Sequence, residues 1–179
     1  MNVNGKAALV TGAGKGIGKA AAVRLAAAGA AVAVVDLDER AVQETVRDIE
    51  SAGGKAAGYV TDVSREEQVA DTVRRVEERF GRIDILVNCA GIQRYGTVVD
   101  TSVELWDEVM NVNLKGVFLM CKHVIPVMRK QQGGAIVNIS SVQAFVTQKQ
   151  VAAYTASKGA INALTRAMAV DHAAEGIRV

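Results

Sequence analysis

In Lys6-Ala-Ala-Leu-Val-Thr-Gly-Ala-Gly-Lys-Gly-Ile-Gly18 an apolar run gives way to four glycines and then to an Ala-rich segment. Lys6–Thr11 reads as a buried strand and about Ile17–Ala28 as a helix that Gly29 stops. The glycine turn joining them has the form T-G-x-x-x-G-x-G, not G-x-G-x-x-G. The physics is the same: Gly12 permits a tight turn, Gly16 and Gly18 let backbone come close to backbone or ligand, and the N–H groups opening the helix face an anion such as a pyrophosphate.

The pattern repeats outward from that turn. Ala31–Asp36 is a second buried strand, followed by an amphipathic helix over Glu39–Ser51 closed by Gly53-Gly54. Ala56–Thr61 is a third strand. Ser64 and Glu67 form an S-x-x-E capping box for a helix running to Phe80, which Gly81 ends. Ile83–Asn88 is a fourth strand, and a long helical stretch is expected over roughly Val103–Lys130. Ala135–Ser140 is a fifth strand, a last helix covers Ala152–Ala174, and Gly176–Val179 opens a sixth strand. Alternating strands and helices without internal repeats predict an α/β, Rossmann-type, doubly wound parallel sheet with helices on both faces. The chain reads as one dinucleotide-binding domain, cut off before its last strands. Such a fold gathers the loops at the carboxyl ends of its strands into one crevice.

Composition narrows the class. Half of the 179 residues are hydrophobic but only 4% are aromatic, so the core is built from Val, Ile, Leu and Ala. The net charge is +2 without a basic patch, and Arg74-Arg75 alternate with Glu77 and Glu78, which argues against a nucleic-acid partner. No apolar run has the ~18 residues needed to span a bilayer, and no signal peptide opens the chain, so a cytoplasmic location is expected. Cys89 and Cys121 read as reduced core thiols. His123 and His172 lack metal-ligand companions, so no metal is expected.

Several polar residues fall at the strand ends. Asp36 closes the second strand, where a carboxylate accepts hydrogen bonds from ribose hydroxyls and repels a 2′-phosphate. That favours NAD, while Lys15 in the glycine loop keeps NADP as the alternative. Asp62 is placed either to hold an adenine edge or to cap the entry to the next helix beside Ser64. Asn88-Cys-Ala-Gly91 follows the fourth strand: its small residues leave room for a flat group, and Asn88 can tie neighbouring strand ends together. Asn111 and Asn113 lie inside the long helical stretch, where Asn is a poor helix former and an interruption can expose polar groups to the crevice.

Ser141, Tyr154 and Lys158 carry the chemistry. Tyr154 and Lys158 stand one helical turn apart on the same face. A nearby cation favours a phenolate, and a Ser hydroxyl from the adjacent strand end can hold a carbonyl or carbinol oxygen. Together they form a device for moving a proton onto or off an alcohol oxygen.

With TGAGKGIG, NCAG, Asn-Val-Asn113-Leu, Ser141 and YTASK in this order and spacing, the chain from Lys6 to Val179 resembles the short-chain dehydrogenase/reductase family. The resemblance implies Asn113, Ser141, Tyr154 and Lys158 as the catalytic tetrad, with Asn113 holding a proton-relay water. It implies cofactor contacts at Gly12, Lys15, Gly16, Ile17, Gly18, Asp36, Asp62, Val63, Asn88, Ala90 and Gly91, and at Tyr154 and Lys158. It also implies a homotetramer. Cys89 stands where the family often has Asn. A Pro-Gly loop, a mobile substrate lid and a last strand, which the family carries further on, are not in this sequence.

The expected function is an NAD(P)-dependent oxidoreductase interconverting a secondary alcohol and a ketone or lactone. Ser141, Gln93, Gln143 and Tyr154 are the expected substrate contacts. These two glutamines, with Gln148 and Gln150, point to a sugar or polyol, since buried amides need partners. The alternatives are an NADPH-dependent 3-oxoacyl reductase and, in another class, a non-catalytic dinucleotide-binding redox sensor.

Overall fold

A computed structural model describes residues 3–179. Its elements follow in the order β1 (Ala7–Thr11), α1 (Gly16–Ala27), β2 (Ala31–Asp36), α2 (Glu39–Ser51), β3 (Lys55–Val60), α3 (Glu66–Phe80) and β4 (Ile85–Asn88). After them come α4 (Val103–Met110), a π-helical turn (Asn111–Lys115), α5 (Gly116–Lys130), β5 (Gly134–Asn138), α6 (Ala152–His172) and β6 (Ile177–Arg178). Short 3₁₀ turns occupy Val142–Ala144 and Ala173–Glu175.

The six strands are all parallel, in the order β3-β2-β1-β4-β5-β6. The chain winds one way from β1 to β3 and the other way from β4 to β6. Winding reverses between β1 and β4, which pair Ala8 with Ile85 and Val10 with Val87. Side-chain alternation along these strands divides the core in two. Ala8, Val10, Val32, Val34 and Val87 pack under α1 and α2 with Ala22, Ala26, Val42 and Ile49. Leu9, Val35, Leu86 and Ile136 face the other way, against Val69 and Val73 of α3, Met120 and Val124 of α5 and Ile161 of α6. Every residue of β1 is buried, as a central strand covered on both faces requires.

Close packing at the first turn needs glycine. A Cβ on Gly18 would lie 2.1 Å from the Gly12 carbonyl oxygen, so any side chain there would push α1 off the turn. Gly81 ends α3 in the left-handed conformation at φ 73°.

One local expectation is corrected. Ser64 does not cap α3: its N–H and hydroxyl both donate to Asp62 Oδ1, at 2.9 and 2.6 Å, and Arg65 stands at the N-cap without a side-chain bond. The carboxylate two residues back outcompetes the capping geometry. The helical stretch Val103–Lys130 is interrupted where Asn111 and Asn113 suggested it. The π-helical turn carrying Asn111 and Asn113 interrupts it, where two poor helix formers sit two residues apart.

Candidate active site

The loops after β1, β2, β3 and β4 enclose a cleft of about 740 Å³ at the switch in winding, of a size suited to a small-molecule or cofactor ligand. Gly12, Lys15, Gly16, Ile17, Gly18, Asp36, Asp62, Val63, Ala90 and Gly91 all line it. Asn88 lies beneath the cleft, 2% exposed. Its Nδ2 donates to Asn138 Oδ1 (2.9 Å) and to Cys121 Sγ (3.4 Å), tying β4 to β5 as expected.

The glycine turn is set from three sides. Gly12, at φ 63°, lies so near the loop after β4 that a Cβ would sit 2.8 Å from Ala90 N. Thr11 Oγ1 bridges the same gap, accepting from Cys89 N (3.0 Å) and Ala90 N (3.2 Å). Asp36 holds the third side: Oδ2 accepts from Gly14 N at 2.9 Å and Oδ1 from Asp38 N at 3.2 Å. A Cβ on Gly14 would meet Ala41 Cβ at 2.7 Å and Asp36 Cγ at 3.0 Å, so no side chain fits between the turn and that carboxylate. The opening turn of α1 has no side-chain cap, so its N–H groups are free for a ligand. Lys15 beside them is exposed and forms no ion pair among the described residues. A cleft with uncapped amides at one end, a carboxylate at β2 and small residues at Ala90-Gly91 fits a dinucleotide.

Asp62 is engaged by Ser64 in the helix-entry arrangement. Its own N–H donates to Gln68 Oε1 at 2.8 Å.

Past Gly91, Asn113, Tyr154 and Lys158 come together. Lys158 is 5% exposed and its Nζ donates to Ile139 O at 2.8 Å, using one of its three donors. Burial pushes the Lys158 ammonium below the ordinary lysine range, opposed by the neighbouring Cys89. Nζ lies 5.6 Å from the centre of the Tyr154 ring. A Cβ on Gly91 would be 3.6 Å from Lys158 Nζ and 3.3 Å from Asn113 Oδ1, so the floor of the cleft, the lysine and the π-helical asparagine meet there. Asn113 is fully buried. Its Oδ1 accepts from Ile92 N (2.8 Å), and its Nδ2 donates to Ile92 O (2.9 Å) and to Ser157 Oγ (3.0 Å). The side-chain amide is therefore spent on positioning the loop after β4 against α6.

Ser141 opens the 3₁₀ turn after β5, and its Oγ accepts from Gln143 N at 3.1 Å. Gln143 itself turns inward: Oε1 accepts from Thr147 Oγ1 (2.9 Å) and Gln148 N (3.1 Å), so its amide oxygen braces its own loop. Gln93 is half-buried, and Gln148 and Gln150 are exposed.

Residues to which the sequence assigned no individual role complete the site. Thr11 precedes the glycine turn, the position that could have marked it. Ser140 Oγ donates to Lys158 O at 3.0 Å, and Ser157 Oγ donates to Tyr154 O at 2.7 Å. Arg94 and Glu108 form a two-pronged ion pair across one wall of the cleft, at 2.6 and 3.0 Å, from positions too distant in sequence to suggest a pair.

Known proteins share this architecture. A family model described as short chain dehydrogenase matches residues 6–179. An uncharacterized oxidoreductase of Thermotoga maritima is 48% identical over 180 residues, covering all of this chain and 70% of that protein. The 3-oxoacyl-[acyl-carrier-protein] reductase of the same organism is 41% identical over 179 residues, covering all of this chain and 73% of the relative. The crystal structure of NAD+-bound xylitol dehydrogenase superposes with a TM-score of 0.97 at 40% identity, over all of this chain and 69% of the other. With the fold and the cleft in agreement, this chain belongs to the short-chain dehydrogenase/reductase family, oxidoreductases that use a nicotinamide dinucleotide.

Proposed function

We propose that the protein interconverts a secondary alcohol and the corresponding ketone or lactone, with NAD as the preferred cofactor. The observation that carries this is Lys158, buried under the Tyr154 ring at the inner end of the cleft with its ammonium anchored on Ile139 O. When bound, the nicotinamide supplies the hydride acceptor or donor. Tyr154 exchanges the proton with the substrate oxygen, and Ser141 holds that oxygen from the end of β5. Lys158, with two donors beyond the Ile139 bond, faces the Tyr154 ring and binds ribose hydroxyls. Asn113 fixes the Ile92 loop and holds a relay water by its backbone. Gly12, Lys15, Gly16, Ile17, Gly18, Asp62, Val63, Asn88, Ala90 and Gly91 form the cofactor bed. Asp36 supports NAD, because a carboxylate at the end of β2 suits a ribose and repels a 2′-phosphate, while exposed Lys15 in the same cleft keeps NADP as the alternative.

The substrate is a small polyol or sugar alcohol, a choice supported by the likeness to xylitol dehydrogenase and by half-buried Gln93 between Ile92 and Arg94 of the cleft wall. A 3-oxoacyl substrate is the second reading. Exposed Tyr95, Val142, Phe145 and Val146 around the Ser141 loop favour it, as does the similarity to the acyl reductase. Phe118, half exposed, together with Met110, Leu114, Ala160, Ala163 and Leu164, borders an apolar groove of about 500 Å³ between α5 and α6. That groove supports assembly through these helices into a homotetramer. Among the described residues no helix is long and apolar enough to cross a membrane. A cytoplasmic, single-domain enzyme is the corresponding placement.

The test is a panel of polyols, simple secondary alcohols and 3-oxoacyl thioesters, followed by nicotinamide absorbance, with Tyr154→Phe as control. General acid–base catalysis contributes roughly 10²–10⁴ in rate, so Tyr154→Phe is expected to fall below about 1% of wild type while still binding NAD. Wild-type protein inert on the whole panel, or Tyr154→Phe retaining most of the rate, would refute the assignment.

A further inference from the structure

Position 45 lies on α2, outside every motif discussed so far. α2 presents Val42, Thr45 and Ile49 to the core at helical spacing, and Thr45 is the one polar residue in that stripe. It is fully buried, and its hydroxyl lies 3.1 Å from Ala13 O and 3.4 Å from Gly14 O. One hydroxyl proton is shared between the two carbonyls of the glycine turn, with Ala13 nearer.

The hydrogen bonds of the turn can be followed group by group. Ala13 N donates to Val35 O at 3.1 Å and Gly14 N to Asp36 Oδ2 at 2.9 Å, so both N–H groups are spent on β2. The carbonyls of the same residues face α2 and meet Thr45. The donors left for a ligand begin at Lys15 and continue into the uncapped first turn of α1.

We propose that Thr45 is a positioning residue for the cofactor: by holding the Ala13 and Gly14 carbonyls toward α2, it keeps the carbonyl side of the glycine turn away from the pyrophosphate and the N–H side toward it. Without the hydroxyl these buried carbonyls lose their side-chain donor. Rotation of either peptide plane would then turn an oxygen into the cleft, where it repels phosphate oxygens. Neither Val42 nor Ile49 supplies a replacement donor.

The inference rests on reading the cleft as a dinucleotide site, and its test separates the two. Thr45→Val keeps the shape and removes the hydroxyl; Thr45→Ser keeps the hydroxyl. Dissociation constants for NAD, ADP and adenosine are measured by calorimetry, alongside melting temperature. Thr45→Val is expected to weaken NAD and ADP by about tenfold, the scale of one buried hydrogen bond, and to leave adenosine within about twofold. Thr45→Ser is expected to stay within about twofold of wild type for all three. ADP binding unchanged in Thr45→Val, or adenosine weakened as much as ADP, would overturn the positioning role. If Thr45→Val does not fold, Thr45→Ala is compared with Thr45→Ser by the same measurements and under the same criteria. Wild-type protein that binds neither NAD nor ADP would overturn the dinucleotide reading itself, and this inference with it.

Discussion

Replacing Asn113 by Ala tests how the cleft is joined to the helix that carries Tyr154 and Lys158. The amide makes three hydrogen bonds, to Ile92 N, Ile92 O and Ser157 Oγ, at 2.8, 2.9 and 3.0 Å, from a fully buried position. Each is worth about 1 kcal/mol net, and a partner left buried and unpaired costs about 1–3 kcal/mol. Ser157 keeps its bond to Tyr154 O and loses only a donor. Ile92 is half-buried, so its N–H and C=O regain part of their hydration. The expected loss is therefore about 2–3 kcal/mol, less than three fully unpaired partners would cost. For a chain of this length each kcal/mol moves the melting temperature by roughly 2–4 °C, so a drop of about 5–10 °C is expected by calorimetry. NAD binding should weaken as well, because Ile92 lines the cleft beside Gly91. A melting temperature within about 2 °C of wild type would show that the three bonds add nothing to folding and would refute the reasoning.

Three further outcomes follow from the geometry. Asp36→Asn keeps an acceptor for Gly14 N but removes the charge, so the ratio of NAD to NADP affinity should fall, whereas Asp36→Ala should also loosen the glycine turn and weaken both; a wild type that already prefers NADP in titration would reverse the cofactor assignment. Gly18→Ala would place a Cβ 2.1 Å from Gly12 O, so the variant should lose about 1–3 kcal/mol or more together with NAD binding, and a melt and titration matching wild type would contradict it. Lys158 has its pKa lowered by burial, so its folded value lies below its unfolded one and holding the charge opposes folding at neutral pH. That cost is relieved as pH rises through the folded value; Lys158→Met should therefore abolish turnover yet melt higher than wild type at pH 7, with the gap closing in alkali, and an equal or growing gap would contradict the sign.

The parts of the site that were legible before the structure are those whose chemistry is local. A tight turn needs glycine within a few residues, and a phenol and an ammonium on one helix face need a spacing of four. Gly12, Gly16, Gly18, Tyr154 and Lys158 could therefore be read directly. Asp36 could be read because a strand end is recognisable from its apolar run. Ser64 and Glu67 misled, because the capping pattern says nothing about the Asp62 carboxylate that takes the Ser64 donors. Gln143 shows a related limit: its sequence position does not reveal that its own loop already uses the amide oxygen.

The sequence by itself determined the alternation of strands and helices, the parallel sheet that alternation requires, and the loop that presents amides to an anion. These follow from periodicity and backbone sterics, which act over neighbouring residues. Only the tertiary structure decided which distant groups meet. The π-helical turn brings Asn113 to Ile92 and Ser157, Lys158 finds Ile139 O, and Thr45 reaches across to the glycine turn. Each of these contacts joins elements separated by one or more whole secondary structures. The partner is fixed by how the helices pack on the sheet, and no spacing along the chain encodes that.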